Sequence, residues 1–294
     1  MIESKKCNLC PRACNVDRSS ALGFCGVSDT VKIGKAMLHF GEEPPISGKN
    51  GSGAVFFSGC NMRCVFCQNY KISHQCFGRE VTVERLGDIF LELQEKGAEN
   101  INLVTATHYA EQAARALELV KTRLAVPVVY NCGGYEKIET LKMLDGLVDI
   151  YLPDIKYYDD DIAVKYSKAR GYFKTAYEAA EEMVRQTGRY FIDDSGLMKK
   201  GVIIRHLILP GCYKDSIRLF NSLEKFKGEV LISLMRQYYP CGEAAEFKEI
   251  NRKLTTFEYR KVLEECERLG FDGFMQEKGT DNGEMTPEFD LGGV

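Results

Sequence analysis

Three cysteines, Cys60, Cys64 and Cys67, stand in the run SGCNMRCVFCQN with the spacing C-x3-C-x2-C. Iron–sulfur clusters are normally held by four cysteine thiolates. Three thiolates this close can hold three irons of a [4Fe–4S] cluster and leave the fourth iron open to a small molecule, so the triplet predicts chemistry at the cluster. The alternatives are a zinc site or a disulfide cluster. Zinc is disfavoured because it takes four ligands, typically from paired knuckles.

The segment just before the triplet, AVFFSG, has the apolar run of a buried strand that ends at Gly59. From residue 54 onward such runs alternate with amphipathic helical runs, which is the pattern of parallel βαβ units. Six units indicate an incomplete barrel, since a full eight-unit barrel typically needs about 250 residues. The expected strands are residues 54–58, 101–106, 126–131, 147–153, 202–209 and 229–235, with a last short strand at 271–275.

The chain divides into two predicted parts. Residues 1–40 are turn-rich and cysteine-rich and are expected to form a metal-binding segment, in which KIGKAML is consistent with a short strand. Residues 41–294 are expected to form the α/β partial barrel. Residues 156–201 have the pattern of an insertion in that barrel, with two helices followed by a hairpin that turns at Ser195-Gly196.

Polar residues gather where the expected strands end, whereas the strand interiors are apolar. Ligands of parallel α/β folds bind at the carboxyl ends of the strands, so these residues predict a polar pocket. The alternative for any one of them is that it caps a helix or satisfies a loop. The candidate ligand-binding residues, in chain order, are Thr105, Thr107, His108, Asn131, Asp154, Lys156, Arg205, His206 and Gln237.

The triplet, with the aromatic Phe66 just before its third cysteine, resembles that of the radical S-adenosylmethionine (SAM) enzymes. HFGEEPPISG, GSGAVFFSGCNMRCVFCQNYKIS, YLPDIKYY and VIIRHLILPG extend the resemblance over nearly the whole chain. They resemble the group labelled pyruvate formate-lyase activating enzymes, and within it the subgroup with an added N-terminal cysteine segment. The resemblance implies a radical SAM (β/α)6 partial barrel. It also implies that the open iron binds SAM, which is cleaved reductively to a 5′-deoxyadenosyl radical for hydrogen abstraction.

The resemblance assigns cofactor-binding roles to several residues. Phe66 matches the aromatic residue near the adenine, and Asp154 and Lys156 match an Asp-x-Lys pattern of activating enzymes. Arg205 and His206 match a basic pair placed for the SAM carboxylate and ribose. Arg205 suits the carboxylate better than Lys156 does, because a guanidinium is a rigid fork and an ammonium is a flexible point charge.

One family motif is absent. A Gly-Gly-Glu-like motif usually ends the second strand and holds the SAM amino group, whereas this chain has Thr-Ala-Thr-His at residues 105–108. Backbone carbonyls or hydroxyls must then hold the amino group. His39, Glu42 and Glu43, which precede the first expected barrel strand, have no predicted role.

A second set of cysteines, Cys7, Cys10, Cys14 and Cys25, has the spacing C-x2-C-x3-C-x10-C. Four thiolates in a segment too small for its own core predict a metal that holds the segment together. Zinc and a second [4Fe–4S] cluster remain open as alternatives, because both accept four thiolates; free thiols are the third. A cluster could relay electrons to the radical site, whereas zinc could only hold the shape.

The composition limits the partners. The 294 residues carry a net charge of −3, which gives no broad electrostatic footprint for nucleic acid. The start of the chain lacks a signal-peptide pattern, and no apolar run is long enough to span a membrane. Twelve cysteines without a secretion signal predict a reducing cytoplasm.

Two functions fit these residues. The first is an activase that abstracts hydrogen from a glycine of a glycyl-radical protein. The second is a radical SAM enzyme that acts directly on a small molecule or a peptide. Either one needs an electron donor such as flavodoxin or ferredoxin. A binding protein that has lost catalysis is disfavoured by the intact triplet and the polar strand ends.

Overall fold

The computed structural model describes residues 6–276 and 286–294, which contain ten strands and nine α-helices. In chain order the strands are β1 (Val31–His39), β2 (Ser52–Phe57), β3 (Arg79–Val81), β4 (Ile101–Val104), β5 (Val128–Cys132), β6 (Ile150–Pro153), β7 (Phe191–Ile192), β8 (Met198–Leu207), β9 (Leu231–Met235) and β10 (Gly273–Met275). The helices are α1 (Pro44–Ser47), α2 (Tyr70–Ser73), α3 (Val83–Glu95), α4 (Ala110–Val120), α5 (Ile138–Lys142), α6 (Asp160–Ser167), α7 (Tyr172–Thr187), α8 (Tyr213–Ser222) and α9 (Thr256–Leu269).

The strands form one sheet in the order β10-β9-β8-β6-β5-β4-β2-β1-β3, and β7 pairs with β8. All neighbours from β2 to β10 in this order are parallel, whereas β1 is antiparallel to both β2 and β3. The α/β fold with a mostly parallel sheet is therefore confirmed. A strand lies at each of the seven expected places. Strand β8 begins earlier than expected, at Met198, because its first residues pair with β7.

Burial explains why these segments became strands and helices. All six residues of β2 are buried, as are all residues of β4, β5, β6 and β9, so these strands are covered on both faces like other parallel strands. Helix α3 buries one stripe that includes Leu86, Ile89 and Phe90, and Thr82 caps its first turn by accepting a hydrogen bond from the Arg85 N–H. The helices consequently cover the sheet, whose inner surface is left for the site.

The predicted insertion, residues 156–201, and the N-terminal segment both contribute regular secondary structure. Helices α6 and α7 and the β7–β8 hairpin lie within residues 156–201, where Asp193 accepts hydrogen bonds from the Ser195 and Leu197 N–H groups in the turn. Strand β1 lies within the first 40 residues and pairs with β2 along the central sheet. The boundary at residue 40 between two domains stays a prediction. No helix of the described residues is both long and apolar enough to cross a membrane.

Gly134 follows β5 and allows its backbone to approach the residue after β6. Its φ is +75°, and a Cβ there would lie 2.1 Å from the carbonyl oxygen of Asp154. We expect Gly134→Ala to lower the free energy of unfolding by more than the matched variant Gly146→Ala. Gly146 has the same φ of +75° but open space around it, so its variant should lose only the about 1–2 kcal/mol that a left-handed backbone costs.

Urea denaturation of both variants tests this prediction. Equal losses of unfolding free energy would show that the contact with Asp154 relaxes without cost. A larger loss for Gly134→Ala shows that the two strand ends are locked together at this point.

Candidate active site

One cavity of about 630 Å³ lies against the inner face of the sheet. Its volume falls within the usual range for small-molecule sites. Every parallel strand contributes to the lining of this cavity, either directly or through the loop that follows it. The sheet therefore curls around the cavity. One such residue for each strand, in chain order, is Phe56, Val104, Asn131, Asp154, Arg205, Ser233 and Phe274.

All three cysteines of the triplet line this cavity, in the loop that follows β2. Donors to a sulfur stabilise the thiolate, which is the form that binds iron, and they tune the potential of a bound cluster. Each sulfur of the triplet accepts one hydrogen bond at 2.9–3.3 Å: from the Met62 N–H to Cys60, from the Ser167 hydroxyl to Cys64 and from the Ser73 hydroxyl to Cys67.

The electrostatics of the triplet also suit a cluster. Burial raises the pKa of Cys60 and of Cys67 to about 12, and the neighbouring Cys64 acts in the same direction on both. Burial likewise raises the pKa of Cys64, although the Lys156 ammonium opposes it. Three thiolates so close together, one buried and two half-buried, need positive charge, and cluster iron would supply it. The triplet therefore fits the group that the sequence predicts there.

Charged side chains of alternating sign line the cavity away from the triplet. Lys156, which influences Cys64, forms an ion pair with Asp154. Asp154 Oδ1 also accepts a hydrogen bond from Arg205 Nε at 3.0 Å, and Arg205 Nη1 donates to Glu42 Oε2 at 3.1 Å. These four residues, from Lys156 through Asp154 and Arg205 to Glu42, are called the charge ladder below.

Arg205 is the centre of the charge ladder, and only 14% of its side chain is exposed. Its third nitrogen, Nη2, donates to Asn131 Oδ1 at 2.7 Å. Burial acts to raise the pKa of Asp154, but the Arg205 and Lys156 cations outweigh it and lower that pKa. Burial raises the pKa of Glu42, and Arg205 opposes that rise. Each nitrogen of the guanidinium thus has a partner within the protein, and a SAM carboxylate would have to share its charge with Asp154 and Glu42.

Most of the residues predicted to bind the cofactor line the cavity. Thr105 is notable among them because its φ is +64°, which is a strained conformation for a β-branched residue and is frequent at functional sites. Its N–H donates to the carbonyl of Asn131 at 2.8 Å, which fixes the turn after β4. The predicted residues on the lining are Phe66, Thr105, Asn131, Asp154, Lys156, Arg205 and Gln237.

Three predicted cofactor-binding residues lie outside the lining. The Thr107 hydroxyl donates to Glu136 at 2.7 Å, and one ring nitrogen of His108 is 2.8 Å from the carbonyl of Ser58. Both nitrogens of His206 have protein partners, the carbonyl of Ile155 at 2.6 Å and the Ser216 hydroxyl at 2.8 Å. Burial lowers the pKa of His108 to about 3 and that of His206 to about 4, so both rings are neutral near pH 7. Thr107 and both nitrogens of His206 are satisfied within the protein, whereas Nδ1 of His108 has no hydrogen-bond partner among the described residues.

His39, Glu42 and Glu43, to which the sequence assigned no role, all line the cavity. Strand β1 ends at His39, opposite Ser52 at the start of β2, so the two glutamates enter the curled sheet from the amino-terminal side of its strands. In the sequence, the available signal that these two glutamates belong to a site was that they are adjacent acidic residues directly before Pro-Pro. Their position depends on the antiparallel pairing of β1, which strand-end reasoning does not consider.

The four N-terminal cysteines lie close enough to influence one another. Burial raises the pKa of Cys10 to about 12, with Cys25 and Cys7 contributing. Burial acts to raise the pKa of Cys14, but hydrogen bonds, one of them with the Cys7 side chain, lower it. In the described part of the chain no group of three or more Cys, His, Asp or Glu side chains has the arrangement of a metal-ion site. The same holds for the triplet, so this result does not distinguish the two sets of cysteines.

The two sets of cysteines are joined directly. The Cys60 N–H donates to the carbonyl oxygen of Cys25 at 3.1 Å. The Arg12 guanidinium donates to the carbonyl oxygens of Asn61, in the triplet loop, at 2.7 Å and of Ser167 at 2.8 Å. Its charge is felt by thiols of both sets. The N-terminal segment therefore packs against the triplet loop.

Comparison with known proteins agrees with this geometry. The sequence model of the Radical SAM superfamily matches residues 54–217, which is more than half of the chain. An uncharacterized protein of Methanocaldococcus jannaschii is 29% identical over 282 residues, which cover 91% of this chain and 76% of that protein. The match therefore extends well beyond the segment recognised by the family model.

Solved structures share the fold at low identity. A radical SAM methyltransferase from Sphaerobacter thermophilus gives a TM-score of 0.54 with 14% identity, over 79% of this chain and 68% of that one. SuiB of Streptococcus suis, bound to the precursor peptide SuiA, gives a TM-score of 0.52 with 13% identity, over 75% of this chain. The present chain covers 47% of SuiB, about half its length. Sequence identities this low indicate a common fold and do not identify the substrate of this chain.

The charge ladder should be essential for stability. We expect Arg205→Met to lower the free energy of unfolding by about 3–5 kcal/mol, because it leaves the Glu42 carboxylate buried without its cation and Asp154 with Lys156 alone. Arg218 offers a matched control, since it also pairs with two carboxylates, those of Asp159 and Asp215, but 53% of its side chain is exposed.

Arg218→Met should cost about 1 kcal/mol or less. Guanidinium chloride denaturation of both variants measures the difference. Similar losses for the two variants would mean that the ladder is hydrated and contributes no more than a surface ion pair.

Proposed function

The chain belongs to the radical SAM superfamily, and from this membership we propose that Cys60, Cys64 and Cys67 hold its [4Fe–4S] cluster and that its substrate loses a hydrogen atom in the adjoining cavity. The observation that supports this most is the presence of all three cysteines on the wall of one cavity at the carboxyl end of β2. When bound, the cluster supplies one electron to the SAM sulfonium, and the resulting 5′-deoxyadenosyl radical abstracts hydrogen from the substrate.

The residues of this chain would protect and position that chemistry. Ser73, Ser167 and the Met62 N–H hold the three sulfurs by hydrogen bonds and so would orient the thiolates that bind a cluster. The curled sheet places the site on buried strands, which limits the access of water to a reactive radical. The protein thereby contributes orientation and exclusion, while the cofactors carry the electron transfer.

Contacts with SAM are proposed for the predicted residues that line the cavity. Phe66, in the triplet loop, is placed to pack on the adenine. Lys156 has a single carboxylate partner, Asp154, so it can meet the SAM carboxylate more readily than Arg205 can. Thr105 can offer its hydroxyl or its carbonyl to the SAM amino group, which the absent glutamate motif would otherwise hold.

The identity of the substrate separates two finer proposals. The resemblance to pyruvate formate-lyase activating enzymes supports activation of a glycyl-radical protein, with flavodoxin or ferredoxin as the electron donor in the cytoplasm. The ionised interior of the cavity supports direct action on a small polar molecule or a peptide side chain, because a backbone glycine offers no charge for buried carboxylates to recognise.

We also propose that Cys7, Cys10, Cys14 and Cys25 hold a second metal centre. Their thiols are neighbours in a segment that docks on the triplet loop through the Cys25–Cys60 backbone hydrogen bond. A [4Fe–4S] cluster here would lie close enough to pass electrons to the radical site. Zinc would hold the segment, and with it the back of the triplet loop, in shape.

Replacing Cys60, Cys64 and Cys67 together with Ala should abolish the formation of 5′-deoxyadenosine from SAM in anaerobically reconstituted, dithionite-reduced protein, because no iron site is left to bind SAM. Chromatography of the quenched reaction measures the product.

The control replaces three cysteines outside the cavity lining, Cys76, Cys212 and Cys266, with Ala. This variant should keep most of the 5′-deoxyadenosine formation of the parent. Undiminished product from the triplet variant would contradict the assignment of the cluster.

Metal analysis of the triplet variant tests the N-terminal centre. We expect one metal centre per chain to remain, either about four irons with sulfide or about one zinc, because four thiolates are still available. Further replacement of Cys7, Cys10, Cys14 and Cys25 with Ala should remove it. A triplet variant without stoichiometric metal would show that these cysteines are free thiols.

A further inference from the structure

Glu43 is a buried carboxylate on the cavity lining that the proposed chemistry does not use. Only 8% of the residue is exposed, and within residues 6–276 and 286–294 no hydrogen-bond donor reaches its Oε2 atom. Its neighbour Glu42 differs, because Glu42 accepts hydrogen bonds from Asn102 at 3.0 Å, Asn131 at 3.2 Å and Arg205 at 3.1 Å. A buried carboxylate oxygen without a donor costs free energy unless a ligand or a proton satisfies it.

The charges of the cavity lining are also unbalanced, and the excess is negative. Among the described lining residues, three carboxylates stand against two cations, Lys156 and Arg205. The remaining ionisable ring on the lining is His39, and burial lowers its pKa, so it adds no positive charge near pH 7. Asp154 and Glu42 are paired in the charge ladder. Glu43 is therefore the carboxylate left over.

The leftover carboxylate lies apart from the place expected for SAM. The triplet follows Phe57 at the carboxyl end of β2, whereas Glu43 follows β1, which ends opposite Ser52 at the other end of β2. The five-residue rise between Ser52 and Phe57 corresponds to roughly 16 Å along the strand. Burial raises the pKa of Glu43 and Glu42 adds to the rise, whereas the Arg205 cation and a hydrogen bond with the Ser233 side chain oppose it, so the unsatisfied atom is Oε2 alone. A ligand group at Glu43 would thus be distinct from the part of SAM bound at the cluster.

The cavity wall beyond this carboxylate, toward the carboxyl ends of the strands, is apolar. Strands β8, β9 and β10 contribute Leu207, Met235, Phe274 and Met275 to the lining. Methionine and aromatic side chains adapt to irregular apolar groups. A ligand that satisfies both features carries a hydrogen-bond donor with positive charge at one end and an apolar chain beside it.

We propose that Glu43 binds a primary ammonium group of the substrate, carried on an apolar chain, which makes the substrate an amine or a peptide with a cationic side chain. This inference rests on the proposed hydrogen abstraction in the same cavity. The ammonium donates to Glu43 Oε2 and supplies the missing positive charge, and the apolar chain packs along β8–β10. The reacting carbon is thereby held between Glu43 and the triplet.

Equilibrium dialysis of the cluster-loaded full chain, at saturating SAM, tests this with three probes of equal length: heptylammonium, heptanol and heptanoate. We expect heptylammonium to bind at least about tenfold more tightly than heptanol, because a hydrogen bond to a charged group is stronger than a neutral one. Heptanoate should bind most weakly of the three. Equal binding of heptanol and heptylammonium by the parent protein would overturn the proposal, without recourse to any variant.

Variants test whether Glu43 is the residue that causes the preference for heptylammonium over heptanol. Glu43→Gln should reduce the preference for heptylammonium over heptanol to less than about threefold, whereas Glu43→Asp, which keeps the charge, should retain a preference. Glu95→Gln, at an exposed position of α3, removes the same charge outside the cavity and should leave the preference unchanged. A preference that survives in Glu43→Gln, or heptylammonium binding that saturating SAM removes, would each contradict the proposal.

The same preparation separates this inference from the proposed function. Formation of 5′-deoxyadenosine by a parent protein that shows no amine preference would overturn the substrate assignment alone. Absence of 5′-deoxyadenosine from a protein that binds heptylammonium through Glu43 would overturn the radical chemistry and leave the amine site in place.

Discussion

A single buried cation, the guanidinium of Arg205, holds the interior of this fold together. Removing such a charge from water costs several kcal/mol unless carboxylates and amides surround it. Here Asp154 after β6, Glu42 after β1 and Asn131 on β5 supply those partners. Because polar groups replace the branched apolar side chains that fill a closed barrel core, the inside of the sheet remains a cavity. The site therefore exists because the core is ionic.

The two ends of that cavity have different chemistry. At the carboxyl end of β2 the triplet offers three neighbouring sulfurs that each accept a hydrogen bond, which suits a metal cluster. On the amino-terminal side Glu43 offers an acceptor without a donor. The charge ladder lies between the two ends of the cavity, and its charges are paired with one another. It can therefore orient a ligand without binding it tightly. Such an arrangement holds a substrate between a reactive centre and a recognition group.

Much of this was predictable from the sequence, since parallel strands buried on both faces appear as continuous apolar runs and the triplet spacing is specific. The strand-end rule located Asn131, Asp154 and Arg205. Arg205 lines the cavity while its neighbour His206 contacts Ser216 on α8, because successive residues of a strand point to opposite faces. Glu43 could not be located, because its position depends on the long-range antiparallel pairing of β1 with β2.

The electron paramagnetic resonance spectrum of the reduced protein, with and without SAM, tests the central claim most directly. The claim is that the C-x3-C-x2-C loop leaves one cluster iron open and that SAM binds there. The spectrum should belong to a [4Fe–4S] cluster in its one-electron-reduced state, and saturating SAM should shift its g values, because a new ligand changes the iron at the open site. A spectrum in which no cluster signal responds to saturating SAM would contradict the account.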